Sequence, residues 1–257
     1  MSFRTNRSII LLLAILALVG CSQSPTATPT IPAIPTVHAS PFALPLARSL
    51  AQPYMEEVGP LPFDLIPAAS QAALQSTAQD EAALHLDYLP VPEGWFTTPL
   101  GWEGAAVVVN SEVPLRSLTL ADLADIFSGR AEDWQEFGRG EGAIQVVVPP
   151  QGERMRSLFV EAVLPNGQVT TRARLAPTPD HALQLVAELD GAIGLIPAHS
   201  STQGRGVAVV RVEGQLPEGE ALQEGGYPLR WQILAMAPEE PDGSVREWLT
   251  WVQSTDS

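Results

Sequence analysis

An α/β fold is what this sequence predicts, on three observations. From about Val37 onward, short β-branched apolar runs alternate with helical patterns, as strands joined by crossover helices do. Apolar residues make up 45% of the 257-residue chain against 17% charged, enough for a sizeable core. The apolar runs are near-continuous, which is how strands covered on both faces read.

Taken in order, Arg4 and Arg7 precede an apolar run over Ile9 to Val19, and residues 1–20 read as a signal peptide. Eleven apolar residues are too short to span a bilayer comfortably. The ending Leu18-Val19-Gly20-Cys21 resembles a bacterial lipobox, which implies that Cys21 carries the lipid, palmitate included, and holds the chain at the extracytoplasmic face of the cell membrane. The competing reading is a short membrane anchor with an incidental cysteine. Residues 21–36 are a Ser/Thr/Pro tether that cannot bury a core.

Candidate strands follow at Ala105–Asn110, Ile144–Val148, Ala192–Ile196, Val207–Val212 and Trp231–Ala237. Ser40-Pro41 opens a first helix that Pro45 and Pro53 delay or kink within Phe42–Glu57, and Ser70 caps a second over Gln71–Gln79. Thr119 with Asp122 starts a third, with Leu123, Ile126 and Phe127 as its apolar stripe and Gly129 as its stop. Thr178-Pro179 opens a helix that Gly191 closes, and Ser244 with Glu247 forms a capping box before Val245, Trp248, Leu249 and Val252.

Composition narrows function. The net charge of −15, or −17 once Arg4 and Arg7 leave, repels nucleic-acid phosphates. An anionic solute stays possible, because a cleft can focus a local field inside an acidic protein. One cysteine excludes an intramolecular disulfide, and His38, His85, His181 and His199 show no ligand spacing, so no metal or other cofactor is expected. No Gly-x-Ser-x-Gly, Walker or His-Glu-x-x-His motif is present, so no catalytic residue is named and no enzyme is expected.

The segment Leu118-Thr-Leu-Ala-Asp-Leu-Ala-Asp-Ile-Phe-Ser-Gly-Arg130, closing with Asp133-Trp134, closely resembles a hallmark of phosphate-binding-protein-like solute receptors. Pro99 to Asn110 resembles that family's crossover strand, Gly191 to Pro197 its later strand and turn, and Tyr227-Pro228-Leu229 with the final helix its closing segment. The resemblance covers roughly Val37 to Ser254 in consistent order. It implies an α/β, two-lobed type II periplasmic-binding-protein fold with mixed sheets and crossover strands, lobe 1 over residues 37–110, lobe 2 over 111–200 and a return to lobe 1 over 201–257. It also implies a monomer in which helix N-termini facing the cleft bind an anion without an excess of basic side chains.

Residue by residue, the resemblance puts Ser40 at the start of helix one, Ser70 in the second cleft loop, and Asp87 where an acidic residue accepts a proton from a protonated oxyanion. The third segment departs from the family. Where a Ser-Gly-Thr run preceded by arginine is expected, this chain has Gln151-Gly-Glu-Arg-Met-Arg-Ser-Leu-Phe159. A Glu153 carboxylate aimed at phosphate costs several kcal/mol unless paired or protonated. Arg154 and Arg156 can instead offer a guanidinium fork to a carboxylate-bearing or larger anion, or all three can form a solvated first turn. Ser40 and Ser70 can equally be plain caps, and Trp95, Phe96 and Trp102 either line the cleft or pack between lobes.

The expected function is a lipid-anchored receptor that delivers a small anion, a phosphate-like oxyanion or an organic acid, to an ABC importer permease. The alternative is a degenerate relative acting as a sensor or interaction module without transport.

Overall fold

A computed structural model describes residues 34–88, 90–138, 142–164 and 167–255. The expected signal segment, Cys21 and most of the expected tether lie outside the described residues. Residues 34–257 form one compact unit.

Three short strands come first: β1 (Thr36–Ala39), β2 (Asp64–Pro67) and β3 (Leu84–Tyr88). They are parallel, with β1 between the other two. The helices between them are α1 (Leu44–Glu57) and α2 (Ser70–Ala78). Helix α1 starts late, as Pro45 predicts, and runs on through Pro53. The long strand β4 (Phe96–Asn110) then carries the chain from one half of the molecule into the other.

In the second half lie β5 (Ser117–Leu118), α3 (Leu120–Ser128), β6 (Gln145–Val148), α4 (Arg154–Val163), β7 (Arg174–Leu175), α5 (Pro179–Glu188), β8 (Ala192–Pro197) and β9 (Val207–Val212). After α6 (Gly219–Glu224), strand β10 (Arg230–Ala237) and helix α7 (Gly243–Thr255) return to the first half.

The sheet order is β2-β1-β3-β10-β4-β8-β6-β7, with β9 on β4 and β5 on β9. Strand β4 is shared. Its Phe96–Gly104 portion pairs antiparallel with β10, and its Ala105–Asn110 portion pairs with β8 and β9. This is the mixed α/β, two-lobed architecture that the resemblance implied, with β4 as the crossing strand.

The hallmark segment turns out to be a folding device. Thr119 accepts from the Asp122 amide while the Asp122 side chain accepts from the Thr119 amide, a reciprocal cap. Leu123, Ile126 and Phe127 are fully buried. Trp134 is buried and donates its indole Nε1 hydrogen to the Gly191 carbonyl at 3.0 Å. The segment therefore locks α3 and the 3-10 turn after it to the start of β8, which accounts for its pattern without any ligand.

Two expected caps are corrected. Helix α2 begins at Ser70 itself, with Ala69 at the cap position and no side-chain cap bond. Helix α7 begins at Gly243, so Ser244 lies inside its first turn and not at its cap position. The apolar stripe of α7 is as expected, with Val245, Trp248, Leu249 and Val252 buried. Edge-on ring pairs, Phe63–Trp248 at 5.0 Å and Tyr54–Trp251 at 5.1 Å, fasten α7 to the first half. Each such pair adds roughly 1 kcal/mol beyond its burial.

Candidate ligand-binding site

Hydrogen bonds at the ends of the parallel strands assemble the site. The Ser40 amide donates to the Leu86 carbonyl at 3.0 Å, and the Ala68 amide donates to the Ala39 carbonyl at 2.9 Å. These bonds align the carboxyl ends of β1, β2 and β3, from which the leads into α1 and α2 depart. Ligands of open α/β sheets bind outside such strand ends. Ser40, Ser70 and Asp87 all lie here, exposed by only 1%, 4% and 2%.

Each is held differently. The Ser40 Oγ accepts from the Ala43 amide at 3.1 Å, capping the turn that leads into α1. The Ser70 Oγ is buried and hydrogen-bonds to no protein group. Asp87 accepts from the Tyr88 amide through Oδ1 at 2.9 Å, while its Oδ2 lies 3.3 Å from Nε2 of fully buried His85. The Tyr88 hydroxyl donates to the Phe42 carbonyl at 3.1 Å, tying β3 to the lead of α1. Burial first, then the carboxylates Glu103, Asp87 and Glu153, hold the Tyr88 phenol well above its usual pKa.

Glu153 reaches this place from the other half. It occupies the cap position of α4, after the carboxyl end of β6, yet makes no capping bond. It is 7% exposed, and its Oε2 hydrogen-bonds to no protein group. Burial, and then the nearby Asp87 charge, push its carboxyl up to about 7. A solvated first turn is thus excluded for Glu153. The Arg156 guanidinium donates to the Pro149 carbonyl at 2.9 Å, bracing the loop before α4, and burial lowers its pKa. Arg154, the first residue of α4, is half-buried beside Glu153.

Beside these buried groups an open groove of about 600 Å³ separates α1 from α5. Arg48 and Ser49 of α1, Asp180 of α5, and His199, Ser200 and Arg205 are among the residues that line it. Arg205 bonds Asp180 at 2.8 Å. The groove reaches Pro41 and Pro67 but is lined by none of Ser40, Ser70, Asp87 or Glu153. Trp95, Phe96 and Trp102 do not line it either: Trp102 stacks under Arg230 at 3.7 Å, and Phe96 packs on the core.

Sequence reasoning missed one pair at the crossing. Glu103 of β4 is fully buried and lies 3.1 Å from the Nδ1 of His199, which follows β8. Burial lowers the His199 pKa, but the hydrogen bond and charge of Glu103 outweigh it and the net shift is upward. A carboxylate inside the apolar run Trp102–Asn110 was the available signal.

Comparison with known proteins fits this geometry. A family profile described as a PBP superfamily domain matches residues 24–256. The phosphate-binding protein PstS of Bacillus subtilis is 25% identical over 153 residues, which cover 60% of this chain and half the length of that relative. Among solved structures, a phosphate ABC transporter substrate-binding protein with bound phosphate from Clostridium perfringens aligns with TM-score 0.75 at 19% identity, covering 85% of this chain and 92% of that one. An ABC-type phosphate transport receptor from Vibrio cholerae aligns with TM-score 0.65 at 19% identity, covering 85% and 93%. At these identities the structural likeness is one of fold.

Proposed function

The chain belongs to the PBP superfamily, and from that membership we propose that it is an extracytoplasmic solute-binding protein for a small anion, held to the membrane by lipid on Cys21, that passes its ligand to an ABC importer. The observation that carries this reading is the convergence of Ser40, Ser70, Asp87 and Glu153, four buried polar residues from both halves, at the carboxyl ends of parallel strands. Helix starts there offer amide hydrogens and the positive end of the helix dipole, so an anion can be held inside a chain of net charge −15. Phosphate receptors as the named relatives support an oxyanion as the ligand class. An organic acid fits the same donors. Binding needs only lobe closure and no covalent step.

The test is thermal unfolding with phosphate, sulfate, molybdate and a panel of organic acids. A true ligand at 100 times its Kd adds about 2.7 kcal/mol. A rise of several degrees with one anion class is the expected result. No rise with any solute favours the second reading, an interaction module without transport, for which the carboxylate of Glu153 inside an anion site is the motivating observation.

A further inference from the structure

Glu153 Oε2 at the start of α4 and Ser70 Oγ at the start of α2 are buried without a protein hydrogen bond, as are the ring nitrogens of His85, one of which lies 3.3 Å from Asp87. Such atoms are rarely left bare in folded proteins, and the two at helix starts stand where a bound ligand could satisfy them. Yet the charge around Glu153 is unfavourable to a simple anion. Asp87 and Tyr88 face it from β3, with His85 next to Asp87 and Glu103 acting on the same tyrosine. On its own helix stand Arg154 and Arg156, the latter engaged with the Pro149 carbonyl. On α3, which packs against α4, Asp122 and Asp125 are taken up by the Thr119 amide and by Arg130.

An anion arriving beside two ionised carboxylates is repelled by both, against whatever the amide hydrogens of the helix starts contribute. If one of them carries a proton, the anion meets a hydrogen-bond donor instead. We propose that Glu153 is the specificity-determining residue of this site and its proton carrier: an oxyanion enters together with one proton, which Glu153 holds and donates in a hydrogen bond to an anion oxygen. The proton comes from solvent, converts the carboxylate to the acid as the anion enters, and returns to solvent when it leaves. This inference rests on the anion-binding reading above. Because burial and Asp87 push the Glu153 carboxyl up to about 7, the unliganded site is largely protonated below that pH and the coupling appears above it.

Phosphate titrates in the same range, so the decisive measurement is a comparison. Calorimetric titrations with inorganic phosphate at pH 6 to 9 are run on the full chain and on Glu153→Gln, which keeps a donor and cannot ionise. The phosphate's own titration is common to both. The ratio of wild-type Kd to variant Kd is expected to widen about tenfold per pH unit above 7, where each proton must be taken up. Independently of any variant, infrared difference spectra of the wild type at pH 8 should gain a carboxylic-acid carbonyl band on phosphate addition. Parallel pH curves, or no such band, overturn the proton-carrier role and leave the receptor reading standing. Failure of both proteins to bind phosphate, sulfate or any organic acid overturns the receptor reading, and this inference with it.

Discussion

At the scale of single residues, a buried charge is governed by its nearest partner. Glu103 has no exposure, and its charge is answered by His199, which is only about one-fifth exposed. Because the folded pKa of His199 lies above its ordinary value, the pair stabilises fully below about pH 6.5 and loses that contribution as pH rises through the folded value. His199→Gln is therefore expected to cost about 2 kcal/mol near pH 6, with the difference from wild type shrinking toward pH 9, as read by urea unfolding across that range. The sequence disclosed the identity of these residues but not their meeting, since they are far apart in the chain and only the crossing strand joins them. Glu153 illustrates the same limit: a carboxylate at a helix start usually faces water, and neither its burial nor the nearness of Asp87 leaves a mark in the local sequence.

At the scale of elements, periodicity and caps carried most of the legible signal. Helix α3 with its Thr119 cap and Gly129 stop, the Thr178-Pro179 opening of α5, and strands β6, β8, β9 and β10 agree with the sequence pattern to within a residue or two. The four- and five-residue strands β1, β2 and β3 were not among the candidates, because so short a run among prolines and small residues is defined by its parallel neighbours. Only the latter part of β4 was legible. Thr97, Pro99, Gly101 and Glu103 interrupt its first part, where the register against β10 also shifts, between Ile233 and Leu234. Gly191 is the sharpest local requirement. Its φ is +69°, and a Cβ there would sit 2.3 Å from the Ala143 carbonyl oxygen. Left-handed backbone and this clash together predict that Gly191→Ala destabilises by about 3 kcal/mol, seen as a lower urea midpoint with an unchanged m-value.

At the scale of the whole molecule, the core closes within residues 34–255. Val37 and Ala39 of β1 are fully buried, and α7 caps the same half through Trp248 and Trp251. A chain beginning at Ile34 is accordingly expected to unfold within about 2 °C of the full-length protein and to keep its ligand response, as scanning calorimetry would report. A much lower midpoint would show that the preceding segment contributes to the fold.

The position of β10 has a consequence for biogenesis. This strand, near the end of the chain, inserts between β3 and β4, which were made more than a hundred residues earlier. Until it arrives, a nascent chain presents two open strand edges bearing Leu84, Leu86 and Leu100, residues that the finished protein hides entirely. Open apolar edges invite pairing with other chains. A sheet that stays open until its last strand is made can gain its full core only when synthesis is nearly complete, so the interval before that final wedge drops in is when this chain is most exposed to misassembly.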